Sequence, residues 1–412
     1  MSLGWGWRGY IGGGPYGAMI PGAMVALTLC RLLGLNARRS AVAAAFAAVG
    51  VGFGGEMTYG QTVGFVRQAD TFWLGFAGLA LKGGVWGLLG GAVTGMGFHI
   101  ASGRPSRPLP ALGAFAAAVV AGWALINHPK LIYFSNLADR PREEVWAGLL
   151  FGAVALLLVY VRTNEEAQPL HRFALAGSLG GFFGFGLGGC WMLIGTETSF
   201  APAWTPWWKL MEFTFGLLFG LALGWAAYRE REWLTPVADI EKAFPARWPP
   251  PMQVALLAAV STGLFIITPF VGTEFNYCLI GAGLLAAAAL RPETRWPIAI
   301  AVTATAFFLD WFDYALEQPP AGSIDLGIAI TATATLIVCA AMVALERRGG
   351  LNAASAFWLL TIAAMITSWG RVLVLHSYEQ PGELAEHAFF TALLLAILSQ
   401  EPKSVETSAP AA

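Results

Sequence analysis

The sequence predicts an all-α polytopic integral membrane protein, and three observations predict it. Of 412 residues, 57% are hydrophobic and only 12% charged, about half the ~25% charge of a soluble globular chain, and the mean hydropathy is +0.62. Apolar runs long enough to cross ~30 Å of hydrocarbon recur along the whole chain. Lysines and arginines fall preferentially on alternate connections between those runs.

The runs lie at 14–36, 40–62, 72–98, 109–127, 145–162, 172–195, 206–228, 252–270, 275–290, 296–315, 324–346, 353–376 and 383–399. They make about 13 transmembrane helices, which matches the number that ~30 residues per span and connection allow. No room is left for a sizeable soluble domain. Fifty glycines would weaken helices in water, but in lipid small residues let backbones approach closely. The amino end, Met-Ser-Leu-Gly-Trp-Gly-Trp-Arg, lacks the basic and short apolar regions of a cleaved leader and is expected to be retained. Trp5, Trp7, Arg8 and Tyr10 precede the first run, so they are expected outside, either folded over the outer mouth as an aromatic lid or set at the interface as an anchor.

With the amino terminus outside, 16 of the 24 lysines and arginines fall on one side and seven on the other, while Lys82 sits inside a span. The excess recurs at each connection. It sets the amino end out and the carboxyl end in, in a multi-pass protein of the cytoplasmic (inner) membrane. The 229–251 connection mixes charge, tryptophan and a proline run and marks a soft boundary. The tail, 400–412, is small and polar and is expected to be disordered.

Gly52–Thr62 resembles Gly186–Thr198, and in the spans that follow, Lys82-x5-Leu88-x-Gly90 aligns with Glu212-x5-Leu218-x-Gly220. The offset of about 130 residues and four spans predicts a parallel tandem repeat of four-helix units, 1–128 and 143–270, related by an axis along the membrane normal. A five-helix unit, 271–399, follows. The repeat makes Lys82 and Glu212 equivalent. Each costs at least ~2.5–3.5 kcal/mol unpaired within the hydrocarbon, so the axis is expected to pair them, either as a fixed tie or as a bridge that breaks and reforms when two halves rock.

The remaining polar residues concentrate toward the outer half. Glu56 and Gln61 close span 2, His128 follows span 4, and Glu197 follows span 6. Asp310, Asp313 and Glu317 lie at i, i+3 and i+7 near the end of span 10, where three carboxylates share a helical face. Arg371 lies in span 12. Glu56 sits in Gly-Gly-Glu-Met-Thr-Tyr-Gly, a context that lets a helix unwind and turn backbone polar groups toward a cavity. Glu56, Gln61, Lys82, His128, Glu197, Glu212, Asp310, Asp313 and Arg371 are therefore the candidate substrate- or ion-binding residues. The Asp310/Asp313 face also reads as an ordinary interfacial belt.

Four cysteines, Cys30, Cys190, Cys278 and Cys339, stand singly in apolar runs, and His128 has no ligand-spaced neighbour, so no metal and no cofactor are expected. A net charge of −1 excludes a basic nucleic-acid footprint. The expected partners are the lipid bilayer and a small-molecule solute, with a homo-oligomer left open. The function that fits best is secondary transport of a small polar solute (a sugar, sugar acid or other organic anion) with H⁺ or Na⁺ coupling at Glu56, Glu197 or the Asp310/Asp313 pair. Arg8, Arg371 or Lys82 would meet an anionic group. Two alternatives stand beside it: an outer-face membrane enzyme for glycosyl or acyl transfer to a lipid-linked substrate, and a scaffold subunit whose polar residues pair with one another.

Overall fold

A computed structural model describes residues 1–11, 14–55, 59–135, 142–197, 205–237, 250–271, 274–317, 323–374 and 381–399. Among the described residues every regular element is a helix. The chain is an all-α polytopic membrane protein. Among the described residues, seven helices combine the length and apolarity needed to cross a bilayer, and each of the thirteen apolar runs contains a helix.

The elements are α1 (Ser2–Arg8), α2 (Gly14–Leu32), α3 (Ala37–Gly52), α4 (Tyr59–Val66), α5 (Phe72–Ala101), α6 (Pro108–Gly122), α7 (Trp146–Thr163), α8 (Leu170–Glu197) and α9 (Trp207–Arg229). They continue with the single turn α10 (Arg231–Leu234), then α11 (Pro250–Val271), α12 (Glu274–Leu290), α13 (Arg295–Glu317), α14 (Ser323–Arg347), α15 (Ala353–Val374) and α16 (Pro381–Ser399). Local chemistry sets several of these ends. The Asn36 side chain accepts from Arg39 N at the start of α3. Pro108 opens α6, where the missing N–H costs nothing. At its far end α6 widens into a π-turn over Trp123–Asn127, and Asn127 Oδ1 accepts from Ala147 N and Gly148 N, both at 3.1 Å, which caps α7.

The tightest packing is between α5 and α8. Gly83, Gly87 and Gly91 face Gly181, Gly177 and the Phe173 carbonyl. A Cβ on Gly87 would sit 1.9 Å from Gly177 O, and one on Gly181 would sit 2.0 Å from Gly83 O. The i, i+4 spacing keeps the three α5 glycines on one helical face, so the two backbones touch directly. The same logic joins α2 to α3, where a Cβ on Gly22 would lie 2.4 Å from Ala47 O. On this α2, α3, α5, α8 and α9 body, α12 packs against α3 and α6, α13 against α2 and α3, and α15 against α2, while α11 packs on α13 and α14.

Hydrogen bonds gather alternate connections at opposite faces. On one face Arg104 bonds Glu166 and the Trp233 carbonyl, both at 2.6 Å, and Val237 N donates to Ser102 O. His99 stacks on Trp233 there and bonds Tyr160 Oη at 2.9 Å, and Arg172 pairs with Glu230. On the other face Thr196 Oγ1 donates to Arg67 O and Trp123 Nε1 to Glu143.

Two expectations need correction. The run at 40–62 is two helices, because α3 stops at Gly52 and α4 starts at Tyr59. Close packing leaves no room for a side chain at Gly55, where a Cβ would lie 2.0 Å from the Trp86 ring, and Trp86 Nε1 takes up the freed Val51 carbonyl at 2.6 Å. The amino-terminal tryptophans form neither a lid nor an interfacial anchor. α1 lies inside the bundle against α2 and α9, with Trp5 and Trp7 buried and Ser2 Oγ donating to Phe213 O at 3.0 Å. Small residues admit it: Gly4 sits on Pro21, and Gly216 and Gly220 sit on Ser2 and Met1.

Candidate functional site

The first cluster of charges forms where α1 ends and α9 begins. Arg8, Lys209 and Glu212 are 6%, 9% and 2% exposed. Glu212 Oε2 accepts from Lys209 Nζ at 2.9 Å, and its Oε1 lies 3.6 Å from Arg8 Nη1. Trp208 Nε1 also donates to Oε1. Lys209 and Glu212 meet because they stand three apart on one helix. Lys209 also donates to Gly6 O at 3.2 Å, at the carbonyl end of α1, where the helix dipole favours a cation. Room for the cations comes from glycine: a Cβ on Gly9 would meet Lys209 Nζ at 2.6 Å and one on Gly17 the Arg8 stem at 2.9 Å.

Aromatic rings wall this cluster. The Arg8 guanidinium lies 5.4 Å from the Trp5 ring and 5.2 Å from that of Tyr59, and it donates to the Tyr59 hydroxyl. Lys209 Nζ lies 4.3 Å above the Tyr10 ring. The faces of these rings attract cations in place of lost water. Trp5 Nε1, buried beside Arg8, meets no acceptor among the described residues.

A second cluster surrounds Lys82. Its Nζ bonds Glu144 Oε1 and Thr62 Oγ1, both at 2.9 Å, in full burial. Glu144 also accepts from Phe134 N at 3.1 Å and from Ser135 Oγ at 2.9 Å. Thr62 passes its own proton to Phe134 O at 3.0 Å. The connection between α6 and α7 is thus drawn inward and tied to α5 and α4.

The short helix α4 touches both clusters, Arg8 through Tyr59 and Lys82 through Thr62. Those two residues are three apart and share a face.

No protein-family model, curated protein or solved structure matches this chain.

The expected Lys82–Glu212 pair does not form. Lys82 looks from α5 toward α4 and the α6–α7 connection, whereas Glu212 looks from α9 toward α1, and each finds a nearer partner. Of the other expected site residues, Gln61 is half-buried on α4. His128 is exposed against Trp123, and Glu197 is exposed at the end of α8, so neither joins a cluster. Glu56 and the side chains of Asp310, Asp313 and Arg371 lie outside the described residues. Among the described residues no group of three His, Cys, Asp or Glu side chains is placed to hold a metal ion.

Sequence reasoning missed Tyr59, Lys209, Glu144 and Thr62. The i, i+3 spacing of Lys209 and Glu212 was available as a signal. Glu144 had none, since it lies in a connection without periodicity.

Proposed function

We propose that the protein is a secondary transporter of a small polar solute bearing an anionic group, such as a sugar acid or other carboxylate. The observation that carries this reading is the burial of Arg8 and Lys209 around one shared carboxylate, Glu212. Two cations kept buried in the interior are costly, and a site that retains them beside an orphaned indole N–H, Trp5 Nε1, suits an incoming acceptor with negative charge. Helices that end inside the bundle supply such sites in transporters; here α1 ends at Arg8 and α4 begins at Tyr59.

The test is uptake of radiolabelled glucuronate and lactate into proteoliposomes holding the full chain, with and without imposed gradients. Gradient-driven uptake that Arg8→Gln and Lys209→Gln both abolish supports the reading. Absence of flux for both solutes overturns it.

A second reading, a scaffold subunit of a membrane complex, draws on a different observation. A narrow crevice between Val49, Phe53, Leu89, Phe115 and Cys278 is apolar, and the buried charges have partners. Co-purification of a stoichiometric membrane subunit, together with null transport, selects it.

A further inference from the structure

The Arg8–Lys209–Glu212 cluster continues to α16. The Tyr10 hydroxyl donates to Glu386 Oε2, and the same ring carries Lys209 Nζ on its face at 4.3 Å. Glu386, half-buried on α16, thereby becomes the last member of a contact chain that runs Tyr59, Arg8, Glu212, Lys209, Tyr10, Glu386. Along it, among the described residues, stand two cations and two carboxylates.

The other titratable groups around Glu386 can be named. On α16 itself, Glu383 lies one turn earlier, and His387 sets its ring 4.4 Å from that of Tyr10. His387 Nε2 lies 2.5 Å from Ser368 Oγ on α15, and its Nδ1 lies 2.8 Å from Glu383 O. From α9 comes Lys209, and from the residues after α1 comes Tyr10. The Arg371 side chain on α15 lies outside the described residues.

Charge inside a weakly polarisable interior couples two events. Adding one proton from water to the Glu386 carboxylate raises the local charge by one, which is expensive where water does not screen it. A monoanionic solute beside Arg8 and Lys209 lowers the local charge by one and offsets that cost. Solute and proton therefore favour each other's binding by the same free energy.

We infer that Glu386 is the proton-carrying carboxylate of the transport cycle, protonated when an anionic solute occupies the Arg8–Lys209 site and ionised when that site is empty. This rests on the transport reading above. The O–H bond forms on Glu386 with a proton from the water phase and breaks when the solute leaves. The Tyr10 hydroxyl, which donates to the ionised form, loses its acceptor charge at that step.

Calorimetric binding of glucuronate and lactate to the purified full chain, across a pH series, tests this together with proteoliposome uptake. The wild type is expected to bind up to roughly tenfold tighter for each unit the pH falls through the working range. Glu386→Gln is expected to bind with no slope and to lose acceleration by an inward proton gradient. Tyr10→Phe, which leaves the carboxyl in place, is expected to move the pH at which binding weakens upward, because the ionised form has lost a donor. A Glu386→Gln protein that keeps the wild-type slope, or a Tyr10→Phe protein with an unmoved profile, overturns the inference and leaves transport standing. A wild type that neither binds nor carries either solute overturns the transport reading itself.

Discussion

Lys82 and Glu144 form an ion pair at 2.9 Å with both side chains wholly shielded from solvent, although 62 positions separate them in the chain. The pair ties a membrane helix to the connection before α7. Removing one partner strands the other charge, which costs about 3–5 kcal/mol in buried pairs. Lys82→Met and Glu144→Leu are each expected to lower the thermal midpoint in detergent strongly. The double substitution is expected to recover most of the loss, since a matched apolar pair leaves no stranded charge. A double mutant as unstable as the sum of the singles would refute this account.

Glu212 serves two cations, whereas Arg8 and Lys209 each lean on it and on aromatic rings. Glu212→Gln should therefore destabilise the protein more than Arg8→Gln, by roughly 1–3 kcal/mol. Chemical denaturation of the two variants in one detergent checks the order. If Arg8→Gln proves the most damaging, the carboxylate is not the hub.

The α5–α8 seam makes a sharp contrast between glycines. A Cβ at Gly87 collides with backbone, and backbone cannot swing away as a flexible side-chain tip can. Gly87→Ala is expected to cost about 1–3 kcal/mol through overpacking. At Gly113 a Cβ meets nothing within 4 Å, so Gly113→Ala is expected to be neutral or to gain up to ~1 kcal/mol from helix propensity. Parallel melting curves decide the matter, and equal shifts would place the seam elsewhere.

Arg107 and His128 are both exposed and lie at opposite ends of α6. In a variant free of Cys30, Cys190, Cys278 and Cys339, Arg107→Cys and His128→Cys are expected to react with a membrane-impermeant maleimide from opposite sides. The charge bias predicts that position 128 reacts in intact cells and position 107 only after lysis. Labelling of both from the same side would break the alternation of α5, α6 and α7.

How much of this was legible in the residues differs by level. Hydropathy located the helices because it responds to the solvent around each segment, and glycine spacing at 83, 87 and 91 flagged a face made for close approach. The break after Gly52 was foreshadowed by Gly54-Gly55, yet the apolar run hid that α4 is a separate helix. α1 is too short to register as a span and rich in tryptophan, so it looked like a surface feature. The partners of Lys82 and Glu212 depend on which helices are neighbours, and that is decided by packing across sixty and two hundred positions. The expected repeat aligned the two charges, but aligned residues need not touch.

The seat of α1 on α9 also bears on how the protein is made. Ser2 finds its partner, Phe213, 211 positions later, so α1 cannot take its seat on α9 until α9 has been made. At about 5–20 residues per second that wait lasts roughly 10–40 s. Throughout that interval a tryptophan-rich stub with a cationic end must be kept in the translocon or at the lipid surface. Seating of α1 therefore follows the synthesis of α9, and the Arg8 site is completed only when two segments some two hundred positions apart have met.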